Sequence, residues 1–83
     1  MTLDNAVYAL EELAGGRRPD QSRALRGLNA LDPILLRSGC AEEVYEAAAL
    51  LELLVATGGT AEMLRVYRAR AAAMAAAVRH FIT

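Results

Sequence analysis

This 83-residue chain has no lysine and no tryptophan, and only one cysteine, Cys40, and one histidine, His80. A single thiol excludes an internal disulfide, the usual reinforcement of so short a chain, and fits a reducing compartment. One Cys and one His are too few for the usual Cys/His metal centre, so no metal and no cofactor are expected. Long apolar runs are missing too. No stretch approaches the roughly 18 residues that a membrane-spanning helix needs. The opening "MTLDNAVYAL" lacks a basic segment and carries Asp4, unlike a secretory signal. The expectation is a soluble, cytoplasmic protein without a membrane partner. A net charge of −1 gives no overall field to attract nucleic acid.

Strand periodicity is also absent, and Ala and Leu fill the chain, so the expected fold is all-α. The same Ala, Leu, Arg and Gly usage suits a GC-rich bacterial genome. All nine basic residues are Arg, which is more weakly hydrated than Lys and better suited to interfaces.

Four helical segments follow from caps and breakers. The first runs from Leu3 to Ala14 behind Thr2, with Leu3, Val7, Leu10 and Ala14 in one stripe, and "GGRRPD" ends it. The second starts after Asp20 and runs to about Leu31, with Leu25, Leu28, Leu31 and Leu35 on one face. Asp32-Pro33 then either starts a new turn, "PILLRS", or kinks one continuous helix. The third runs from about Cys40 to Thr57, with Glu42 and Glu43 at its dipole-favoured start. The fourth follows Thr60 and runs to about Phe81. In it Leu64, Tyr67, Ala71, Met74, Val78 and Phe81 form a seam of alternating three- and four-residue steps. The Gly-rich turn between the last two segments predicts an antiparallel hairpin, acidic on one helix and Arg-rich on the other. The expected whole is a single domain, residues 1–83: a small bundle of four helical segments around this C-terminal hairpin.

The third segment raises a question about its outward side. Placed at about 100° per residue, Val44, Ala47, Ala48, Leu51, Leu54 and Val55 form a core face. The opposite row runs Glu42, Glu46, Ala49, Leu53, Ala56, acidic first and then apolar, and Leu50 widens the apolar part. Either another part of the chain covers Leu50 and Leu53, or Ala49, Leu50, Leu53 and Ala56 meet a partner. On the fourth segment Ala69, Ala72, Ala73 and Ala76 lie on the outward side between Arg68 and Arg79.

Signatures of chemistry are weak. Cys40 near a helix start is opposed by Glu42 and Glu43. Glu42, Glu43 and Glu46 lack the Glu-x-x-His partners of a carboxylate-bridged metal bundle. "GGRR" has neither the preceding strand nor the Lys-Ser/Thr of a phosphate-binding loop. Arg17, Arg18, Arg23 and Arg26 form one local basic cluster, interrupted by Asp20 and without aromatics. The expectation is a non-enzymatic interaction module (an adaptor, chaperone-like subunit or inhibitor) that docks a protein partner or itself. The alternative is a small regulator touching nucleic acid through Arg17 to Arg26.

Overall fold

A computed structural model describes residues 3–36 and 39–82. It contains four helices: α1 Leu3–Ala14, α2 Gln21–Leu35, α3 Glu42–Thr57 and α4 Ala61–Arg79. Among the described residues there is no strand, and no helix is long and apolar enough to cross a membrane. The expected Thr2 cap and residues 37 and 38 lie outside the described residues.

The helices form a ring in which each packs on its chain neighbours and α4 returns to α1. Their pairings run antiparallel throughout. Glu12 meets Arg23 while Ala6 meets Gly27, and Gln21 meets Val55 while Ile34 meets Cys40. Thr57 meets Met63 while Glu46 meets Arg70, and Ala14 meets Arg68 while Glu11 meets Arg79. The chain is thus an up-down-up-down bundle.

Local signals set the ends. At the α1 terminus the Arg17 amide donates to the Glu12 carbonyl at 2.9 Å and the Gly16 amide to Leu13 at 3.0 Å, with Gly16 at φ +80°. This is a Schellman stop, which a left-handed glycine permits. The Asp20 carboxylate accepts from the Ser22 amide, and the Thr60 hydroxyl from the Met63 amide. α2 continues through Pro33 to Leu35 without a new cap, so Asp32-Pro33 does not start a separate turn. α3 starts at Glu42, and Cys40 lies outside it, donating from Sγ to the Ile34 carbonyl at 3.3 Å.

The core is built from the faces that periodicity marks, with one rotation. On α2 the buried row is Ala24, Gly27 and Leu31; Leu28 and Leu35 are half-buried and Leu25 is exposed. Gly27 lets α2 approach the α1 backbone at Ala6, and the buried row runs through it. α1 buries Leu3, Val7 and Leu10 together with Ala6, Ala9 and Leu13. α4 buries Ala71, Met74 and Val78 of its seam, with Leu64, Tyr67 and Phe81 partly covered.

Candidate docking surface

Across the α3–α4 seam the Arg70 guanidinium grips the Glu46 carboxylate with two hydrogen bonds, of 2.8 and 2.5 Å. The hydrogen bond from Arg70 holds the Glu46 carboxyl below its ordinary value, against a smaller upward push from desolvation. The pair also fixes which side of α3 meets α4, and thereby decides the fate of the outward row. Leu50 lies one turn beyond Glu46, on that side, and is only 1% exposed. Leu50 is therefore a core residue and leaves the proposed docking set. Of the two alternatives the sequence left open for Leu50, the structure shows the first: another part of the chain covers it. Ala49, Leu53 and Ala56 remain exposed, Leu53 at 41%.

Tyr45 extends this exposed edge by one turn, at 46% exposure. The neighbouring helices add two more side chains. Val66 lies one turn before Arg70 and so on the α3 side of α4, 58% exposed. Leu25 lies one turn after Gln21, whose side-chain amide donates to the Val55 carbonyl at 2.6 Å, so it stands beside α3 as well. Four of the six exposed large hydrophobic side chains among the described residues are therefore on α3 or beside it. The pattern of α3 alone pointed to Leu53. Val66 carried no distinguishing signal in the sequence, and Leu25 was assigned to the core by its spacing. Glu42 and Glu52 are exposed along this ridge and α3 has no basic residue.

On the far side, α1 and α4 enclose an open groove of roughly 550 Å³, with Ala14, Ala72 and Ala76 in its lining and the Glu11–Arg79 ion pair, 2.5 Å, at its rim. Arg68 Nε donates to the Ala14 carbonyl at 3.4 Å between the same two helices.

The local basic cluster is partly dispersed by folding. Arg23 pairs with Glu12 at 3.1 Å and lies 5.7 Å from the Tyr8 ring centroid. Arg17, Arg18 and Arg26 stay exposed. Among the described residues no group of three His, Cys, Asp or Glu side chains is placed to hold a metal ion. No family model matches the chain, and no curated protein or solved structure matches it either.

Proposed function

We propose that this protein is a non-enzymatic interaction module that docks another polypeptide against the ridge of α3. The observation that carries this is the exposure of Tyr45 and Leu53 with Ala49 and Ala56 along α3, and of Leu25 and Val66 on the neighbouring helices. Scattered apolar side chains on a surface need no explanation, but a contiguous set rimmed by charge is the usual anatomy of a contact. An exposed apolar row on one helix suits a protein groove or a second helix, and Val66 at its edge lines a hollow of roughly 290 Å³ with Thr57, Met63 and Tyr67. Its acidic rim, Glu42 and Glu52, selects a partner surface edged with Arg or Lys. Adaptor, chaperone-like and inhibitory roles share this physical act of docking.

A photo-crosslinking amino acid placed at Leu53, and at the exposed Ser22 as a control, tests the reading in cells that express the protein. Adducts of defined mass from position 53 and none from position 22 are expected. Equal or absent labelling at the two positions would refute a docking role for the ridge.

A further inference from the structure

We propose that the end of the bundle formed by the α1–α2 turn and the first turns of α4 binds an acidic polypeptide segment through Arg17, Arg18, Arg65 and Arg68. This site is separate from the α3 ridge and does not rest on it. Arg17 and Arg18 follow α1, Arg65 and Arg68 stand early in α4, and antiparallel packing brings both pairs to the same end of the bundle. Two adjacent glycines are the meeting point. The Arg68 Cζ lies 3.0 Å from where a Cβ on Gly16 would stand, and the Arg17 Nε lies 3.8 Å from where one on Gly15 would stand. The two guanidiniums therefore flank a pair of residues that have no side chains of their own. Folding thus redraws the basic cluster of the sequence. Arg23 is taken by Glu12 and Arg26 stands further along α2, while Arg65 and Arg68 arrive from α4.

All four arginines are exposed, and none is in an ion pair among the described residues. The acids of the same turns are Asp20, whose carboxylate accepts from the Ser22 amide, and Glu62. The opposite end of the bundle carries Asp4, Asp32, Glu42 and Glu43. A net charge of −1 thus conceals a separation of sign between the two ends. Such a field draws an anionic partner toward the Arg end.

The cations are held in place by the fold itself. The Gly15, Gly16 and Arg17 amides donate to carbonyls of the last turn of α1, and Pro19 is buried, so the turn is anchored on both sides. The Arg68 Nε bond to the Ala14 carbonyl steadies that side chain and leaves its two terminal nitrogens in no hydrogen bond among the described residues. A guanidinium fork fixed in this way meets a carboxylate edge with little further loss of freedom. Carboxylates on a polypeptide fit this end better than nucleic acid does. The helix stop consumes the three amides, which leaves them no part in a backbone cradle for phosphate. Nucleic acid is held by many phosphate contacts and, when single-stranded, by exposed aromatic rings. This end offers four cations, and the one ring on α4, Tyr67, is half-buried.

Amide chemical shifts of the labelled full chain test this in a titration with decaglutamate, and in a parallel one with an oligothymidylate of equal length. Decaglutamate is expected to move the amides of Gly15 to Arg18 and of Arg65 to Arg68 at low salt, and to release them as salt is raised. The Arg17→Glu/Arg18→Glu double variant is expected to weaken this binding about tenfold, whereas Arg26→Glu changes it by no more than about twofold. If circular dichroism shows the double variant to be unfolded, Arg65→Glu replaces it with the same expectation. No binding at low salt overturns the proposal, as do shifts spread over the whole chain or an Arg26→Glu loss equal to that of the double variant. Tighter binding of the oligothymidylate overturns it in favour of a nucleic-acid surface. Salt-sensitive self-association of the unliganded chain that the double variant abolishes would assign this end to a second copy's acids and overturn it as well.

Discussion

A single missing methyl group sets how α1 and α2 meet. A Cβ built on Gly27 would lie 2.6 Å from the backbone N and Cα of Ala6, a distance that backbone atoms cannot relieve without moving a helix. Two effects compete in Gly27→Ala. Helix propensity favours Ala by about 1 kcal/mol, whereas forcing an atom into a packed contact costs about 1–3 kcal/mol. The contact is at backbone, so the second wins, and the variant is expected to be less stable by about 1–2 kcal/mol. Urea denaturation reads this directly, and a stabilised variant would show that the two helices do not approach so closely. Leu50 and Leu53 give a second contrast. Leu50→Ala removes a side chain that is 1% exposed and is expected to cost about 2–5 kcal/mol. Leu53→Ala, at 41% exposure, is expected to change monomer stability by less than about 1 kcal/mol. Equal losses for the two would move Leu53 into the core and remove the ridge.

At the scale of elements, ion pairs among the described residues tie three of the four neighbouring helix pairs: Glu12–Arg23, Glu46–Arg70 and Glu11–Arg79. The Glu46–Arg70 fork is the one with a resolved effect on protonation. Because the folded carboxyl titrates below its ordinary value of 4.5, its contribution is fully present above the unfolded value. It is lost as pH falls through the folded one. Glu46→Gln removes that linkage. Thermal unfolding of the variant is expected to depend less on pH below about 4.5 than that of the wild type, with the two curves converging in acid. Parallel curves would mean that the fork does not persist in solution. At the start of α4, the Thr60 hydroxyl bond to the Met63 amide makes Thr60→Ala expected to cost about 1 kcal/mol, measured by the same denaturation.

For the whole molecule, the accessible surface is 4797 Å². A compact monomer of 8.9 kDa exposes about 4,800 Å² by the size scaling of folded proteins. The bundle therefore closes its core within one chain. Dilution is expected to leave the helical signal unchanged. Loss of helicity on dilution would instead make folding and assembly inseparable.

Helix number, type and most ends were legible in the sequence because their causes are local. Ala and Leu propensity, the Asp20 and Thr60 caps and the Gly16 and Gly58 stops act within a few residues of themselves. The apolar stripes of α1 and α4 and the acidic-against-Arg-rich character of the α3–α4 hairpin were legible too, since a helical period and a short turn dictate them; which acid meets which Arg was not. What α3 does with its outward residues was not. Leu50 and Leu53 are three positions apart on one helix, with the same side chain, and no local property separates them. Packing within the folded chain does, burying one and leaving the other exposed. Leu25, spaced for one face with Leu28 and Leu31, is exposed, whereas Gly27 is buried against the α1 backbone. The groove was invisible for the same reason, since Ala14 and Ala72 are far apart in the chain and meet only when α4 returns to α1. Periodicity reports that a residue lies on an apolar face; only the distance between packed helices decides whether that face is covered.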